Sequence, residues 1–131
     1  MANVVFPKAK ENILMGDIHF DTDTIKVALI DTGVTPYSAA YDYYDDISAG
    51  VVGTPVALAS KTLTSGVFDS ADPTWSGVSG ATCEALVMYM DSGVASTSPV
   101  IGWWDTLTGL ALTPNGGDVT YTVHASGWFG L

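Results

Sequence analysis

Any chemistry in this chain would have to come from a small set of side chains. His19 and His124 are the two histidines. Either would serve as a general base beside a serine, a thiol or a water, but neither has a sequence neighbour that completes a nucleophilic pair. Gly77-Val78-Ser79-Gly80-Ala81 loosely resembles a nucleophile elbow, in which a serine sits on a sharp strand-to-helix turn. Its last glycine is displaced and Thr82 onward reads as another strand, so a hydrolase built on Ser79 lacks its setting. Asp21 with Asp23, and Asp42 with Asp45 and Asp46, could offer oxygen ligands to calcium. Neither cluster has the alternating carboxylates, sharp glycine turn and closing Glu of a loop cation site. Both read as solvated carboxylates at loop edges. Cys83 stands alone, which rules out an internal disulfide. With no neighbour to lower its pKa, it is expected to pack as a small hydrophobe. There is no phosphate loop, no paired CxxC and no glycine-rich dinucleotide fingerprint. The expectation is a protein with no catalytic residues, no metal and no cofactor.

Charge narrows the partners. Fourteen acidic residues stand against four lysines (Lys8, Lys10, Lys26 and Lys61), with no arginine and a net charge of -10. Such a surface has no guanidinium for bidentate phosphate grips, and it repels nucleic acid and anionic lipid alike. Neither nucleic acid nor membrane is an expected partner. Yet 47% of the residues are hydrophobic and the mean hydropathy is +0.30. No apolar run approaches the ~20 residues that cross a bilayer, and Met1 to Phe6 has no signal-peptide pattern. Apolarity spread over many short segments suits strands buried on both faces, or subunit interfaces added to a core.

The elements that would position these residues are mainly strands. Pro7 to Met15 reads as a short helix, with Pro7 in its first turn and Gly16 as the stop. Asp17 to Asp23 is a polar connection in which Ile18 and Phe20 alternate with His19. Thr24 to Ile30 predicts a strand with Ile25, Val27 and Leu29 on one face. Pro36 to Ile47, rich in Tyr and Asp, is expected as a loop with one helical turn lying over the body. Val51 to Ser60, Lys61 to Phe68 and Thr74 to Val78 read as successive strands. Thr82 to Met90 is the strongest strand signal: Cys83, Ala85, Val87 and Tyr89 face one way, and Leu86, Met88 and Met90 the other. Apolar on both faces, it is expected in the middle of a sheet. After a small-residue loop from Ser92 to Ser98 come strands at Val100 to Asp105 and Asp118 to His124, with tight turns at Thr108-Gly109 and Pro114 to Gly117. Strands at intervals near ~10 residues predict an all-β fold: a mainly antiparallel β-sandwich or barrel-like domain spanning residues 1–131, with one short N-terminal helix.

The aromatics and the chain ends carry the interaction argument. Trp75, Trp103, Trp104, Trp128, Phe129 and the tyrosines from Tyr41 to Tyr44 would stack on sugars if exposed; packing in a core or subunit interface is the favoured reading. Adjacent Trp103 and Trp104 must point to opposite faces of a strand. The terminal Trp128-Phe129-Gly130-Leu131 is apolar to its last residue and is expected to be tied down in a sheet or an interface. The candidate interface residues are Val4, Val5 and Phe6 in an arm spanning residues 1–6, Trp103 and Trp104, and Trp128, Phe129 and Leu131. On this reading, deleting Trp128 to Leu131 removes assembly and leaves the domain folded.

The run ILMGDIHFDTDTIKVALIDTG resembles a segment of small structural proteins of tailed bacteriophages, where a short helix, a "GDI" step and a "DTIKVAL" strand follow in order. The likeness continues through YDYYDDISAG, ALASKTLTSGVFDSADPTWSGVSGATCEALVMYMDSG and TGLALTPNGGDVTYTVHASGWFGL. These match that family's "FLDDI"-like loop, "VTDGVFDADDVTF" hairpin, "EALVLY" strand and "TGLPFTPNGGDV" turn. The resemblance runs from about Ile13 to Leu131. It implies a non-enzymatic virion protein, foremost a capsid decoration (cement) protein on the exterior of the head shell. The implied partners are the major capsid protein and further copies of the chain, as a homotrimer. A tail or neck component of the same kind of particle and a glycan-binding β-sandwich are the alternatives.

Overall fold

A computed structural model describes residues 3–131. The fold is mainly antiparallel β-structure with one short helix, as expected. Strand β1 (Val4–Val5) leads directly into helix α1 (Pro7–Leu14). Strands β2 (Ile25–Ile30), β3 (Val51–Ala57), β4 (Thr62–Thr64), β5 (Val67–Asp69), β6 (Thr74–Trp75), β7 (Ala85–Met90), β8 (Val100–Trp104), β9 (Val119–Thr120) and β10 (Phe129–Gly130) follow. The main sheet has the order β1-β8-β7-β2-β3 and is antiparallel throughout. A three-stranded sheet, β10-β5-β4, and a two-stranded one, β6-β9, form a second layer.

Helix α1 begins and ends for local reasons. Pro7 occupies a position whose N–H would have no partner in any case. At the other end the Gly16 N–H bonds the Ile13 carbonyl and the Asp17 N–H the Asn12 carbonyl, while Gly16 takes a φ of +77°. This pair of bonds is a Schellman motif, which needs a left-handed residue where the helix stops.

Strands β2 and β7 sit at the centre because both of their faces are apolar. Ile25, Val27, Leu29, Leu86 and Met88 join Ile101, Trp104, Trp75, Phe68 and Trp128 in one cluster beneath the second layer. Ala28, Ile30, Ala85, Val87 and Tyr89 join Val100, Trp103, Phe6 and Ala9 in another, which α1 and the tyrosine-rich loop close over. That loop carries short 3-10 turns at Tyr44–Asp46 and Ser48–Gly50. Ile18 and Phe20 turn into the core while His19 stays outside.

The structure departs from the sequence reading at particular places. Cys83 lies in the cluster with Leu86 and Met88, on the opposite side from Ala85, Val87 and Tyr89. It precedes the regular strand: its backbone pairs with Leu112, whereas Glu84 N–H already bonds Ile30. The two-residue alternation therefore does not extend back through Glu84. Lys61 to Phe68 is a hairpin and not one strand, because Ser65 and Gly66 have φ of 52° and 79°. Two successive positive φ values make a tight reversal whose twist matches the flanking strands. Of Thr74 to Val78 and Asp118 to His124, only Thr74–Trp75 and Val119–Thr120 pair. Beyond them the Tyr121 N–H bonds the Pro73 carbonyl and the Val123 N–H the Asp72 carboxylate, so loop groups take over the backbone bonds.

Candidate interaction surface

The candidate chemical residues are held apart. His19 is exposed, with its Nδ1 3.8 Å from Asp23 Oδ2; the same carboxylate oxygen accepts the His19 backbone N–H at 2.8 Å. His124 is also exposed and uses Nδ1 to accept the Ser126 N–H at 3.0 Å. Ser79 opens onto a cleft with Asp31, Val34 and Gly50, and no histidine lines it. Asp46 Oδ2 accepts the backbone N–H groups of Asp42 and Tyr43 at 2.8 and 3.2 Å, which ends the loop in a turn. Among the described residues no three His, Cys, Asp or Glu side chains converge as metal ligands. Burial first, then the charges of Glu84 and Asp31, push the Cys83 thiol up to about 11. A thiol in that state is a poor nucleophile at neutral pH.

The tryptophans lie inside. Trp75, Trp103, Trp104 and Trp128 expose 1, 1, 5 and 6% of their surfaces, so they offer no stacking platform for a sugar. Trp103 and Trp104 do point to opposite faces, each into a different cluster. Trp128 and Phe129 are tied down within the chain: β10 pairs with β5, and Trp128 Nε1 donates to Ser70 Oγ at 2.8 Å. Trp128 stands edge-on to Trp104 at 5.2 Å, and Phe129 meets Phe20 at 5.6 Å. These residues hold the second layer to the main sheet. A domain that keeps its fold without Trp128 to Leu131 is therefore not what this packing supports.

The first and last described segments nevertheless come together. Asn3, Val4, Val5, Trp104, Trp128 and Phe129 line one shallow cleft of about 150 Å³. Asn3 anchors it: its Oδ1 accepts the N–H groups of Asp105 and Thr106 at 3.0 and 2.9 Å. Strand β1 is the edge of the main sheet and β10 the edge of the three-stranded one, so two sheet edges border this seam. Met1 and Ala2, the start of the expected arm, lie outside the described residues. Leu131 donates its N–H to the Gly66 carbonyl with 77% of its surface exposed, whereas Phe6 is fully buried on the other face and Trp103 with it. Single-residue apolarity found most of these side chains, but their convergence carries no signal along the chain. Asn3, a polar residue with no apolar signal in the sequence, completes the cleft.

Behind the seam the packing leaves no slack. A Cβ on Gly102 would stand 2.5 Å from Cη2 and 2.6 Å from Cζ3 of Trp104. That ring cannot retreat, because Trp128 is packed against it. Gly102→Ala is expected to lower stability by about 1–3 kcal/mol, the usual cost of overpacking a close-packed core. The midpoint of urea unfolding reads it out.

The lysines do little to offset the acids around this body. Lys26 Nζ lies 2.8 Å from Asp91 Oδ2, Lys8 lies 3.8 Å from Glu11, and Lys61 donates to the Asp23 carbonyl. The hydrogen bond from Lys26 leads the effects that hold the Asp91 carboxyl below its usual range. Asp17, Asp21 and Asp45 are exposed, whereas Asp31, Asp46, Asp72 and Asp118 accept backbone N–H groups and keep their charge at the surface.

No family model matches the chain, and no curated protein matches it.

Proposed function

We propose that this chain is a non-enzymatic capsid decoration protein of a tailed bacteriophage, seated on the outside of the head shell and joining neighbouring major capsid subunits. The observation that carries the reading is the seam. Val4, Val5 and Phe129 crowd into one cleft where the edges of two sheets meet. Edge strands with free backbone N–H and C=O groups pair readily with another chain. The opposite edge of the main sheet is blunted, since β3 carries Pro55 and a break in register opposite Val27 to Leu29. A net charge of -10 adds attraction to basic patches on a shell exterior and gives no affinity for the genome inside. Three copies around a local threefold axis are the proposed assembly.

The test uses a variant that leaves the core alone. Leu131→Asp places a charge two residues beyond Phe129 at a residue that is 77% exposed, so the fold is expected to survive. The native chain should sediment as a trimer and decorate purified expanded heads. The variant should be recovered folded but largely absent from the heads. A native chain that stays monomeric and leaves heads bare would defeat the proposal, as would equal decoration by the variant.

A further inference from the structure

We propose that Asn115 is a site of self-modification, an asparagine whose deamidation to aspartate or isoaspartate is gated by a backbone clamp to Val78. In this reaction the backbone nitrogen of the following residue loses its proton and attacks the side-chain Cγ, and the amide leaves as ammonia. Water then opens the resulting cyclic imide at one of its two carbonyls. Asn115-Gly116 is the one Asn-Gly pair in the chain; Asn3 precedes Val4 and Asn12 precedes Ile13. Gly116 brings no Cβ to crowd the ring closure, whereas Val and Ile are branched at that carbon.

One half of the reaction is primed. Asn115, Gly116 and Gly117 are exposed, so water and hydroxide reach them. Asn115 Oδ1 accepts the Gly117 N–H at 3.0 Å, a turn that asparagine side chains favour. Donation to that oxygen draws electron density from Cγ and makes it a better electrophile. A Cβ built on Gly116 would meet no atom within 4 Å, so no other segment crowds the turn there.

The other half is withheld. The Gly116 N–H donates to the Val78 carbonyl at 2.7 Å, and the Val78 N–H donates to the Gly117 carbonyl at 3.0 Å. The nitrogen that must attack therefore has its proton engaged. The lone pair left by deprotonation would point at the Val78 oxygen, itself an acceptor, and not at Cγ. Val78 cannot follow the turn outward, because it is 2% exposed and packed in the core beneath the second layer. The Gly77 N–H on Asp118 Oδ1 at 3.0 Å and the pairing of Trp75 with Val119 brace the same clamp. Ring closure waits for a local opening. An isoaspartate adds a methylene to the main chain between residues 115 and 116, so the reacted turn loses its register with Val78 and the opening becomes permanent.

The experiment incubates the full chain at mildly alkaline pH and locates deamidation by peptide mass mapping, while hydrogen exchange follows the Gly116 amide. In guanidinium chloride Asn115 should react ahead of Asn3 and Asn12, and about tenfold or more faster than in the native chain. Asp118→Ala removes the acceptor of the Gly77 N–H at an exposed position. It should speed Gly116 exchange and Asn115 deamidation by the same factor, about fivefold for one lost hydrogen bond. The proposal is refuted if Asn115 reacts as fast in the native chain as in the unfolded one, or if another asparagine leads in guanidinium chloride. It is refuted equally if folded Asp118→Ala deamidates at the native rate. Should that variant fail to fold, the native and unfolded rates of the unaltered chain still decide. None of these outcomes depends on where the protein resides in a particle.

Discussion

A chain shortened to end at Gly127 is expected to lose its cooperative fold. The missing segment holds Trp128, 6% exposed, and Phe129, which packs against the same core. Removing a buried aromatic side chain costs about 3–5 kcal/mol, and a domain of this kind has about 5–15 kcal/mol in total. The two losses are neighbours and do not simply add, but the backbone bonds go with them. Phe68 and Gly66 carbonyls lose the N–H groups of Trp128 and Leu131, each 2.8–2.9 Å away. Strand β5 then pairs only with β4, and Trp104 loses the ring that stands against it. Near-ultraviolet circular dichroism and a urea titration measure the outcome. A sharp transition close to that of the full chain would mean the second layer folds without β10, contrary to this account.

On the opposite face, Phe6→Ala is expected to cost about 3–5 kcal/mol, the range for a buried Phe cut to Ala. Phe6 has no exposed surface. Its ring stacks on Tyr37 at 5.8 Å with an interplanar angle of 13° and tilts against Tyr41 at 6.2 Å. It also marks the point where β1 ends and α1 begins, and its N–H bonds the Ile101 carbonyl. The substitution leaves that backbone bond in place and opens a void beneath the loop that carries Tyr37 and Tyr41. Faster amide exchange in that loop should accompany the lower urea midpoint. Phe6→Leu keeps most of the volume and should cost less than half as much. If Phe6→Ala unfolds at the native midpoint, the loop carries no strain from the lost ring and the packing argument fails there.

The elements that were legible in the sequence share one property: their signal is local. Pro7 and Gly16 bracket α1 because each acts through the backbone geometry of its own position. β2 and β7 were legible because a strand buried on both faces must be apolar at every residue. The tyrosine-rich loop was legible as a cover because it has neither helical nor strand period. The errors arose where pairing depends on distant residues. The alternation that would put Cys83 with Ala85 stops at Glu84, where the partner changes from a β2 residue to Leu112. Asp118 to His124 alternates like a strand, yet only two of its residues have a strand to pair with.

The candidate interface shows the same division. Its members stand out in the sequence as apolar residues at the two ends and as a Trp pair, a pattern that does not distinguish those consumed by the protein's own core. Composition was enough to set the sign of the surface charge, and local patterning the all-β class and the two-faced burial of the central strands, since each depends only on which residues are present and on their near neighbours. Tertiary structure alone decided that Phe6, Trp103, Trp104 and Trp128 are internal, that Val4 and Phe129 share a seam, and that Leu112 pairs with Cys83. Those outcomes follow from contacts between segments as much as a hundred residues apart, such as Asn3 with Thr106. A linear pattern has no term for such contacts.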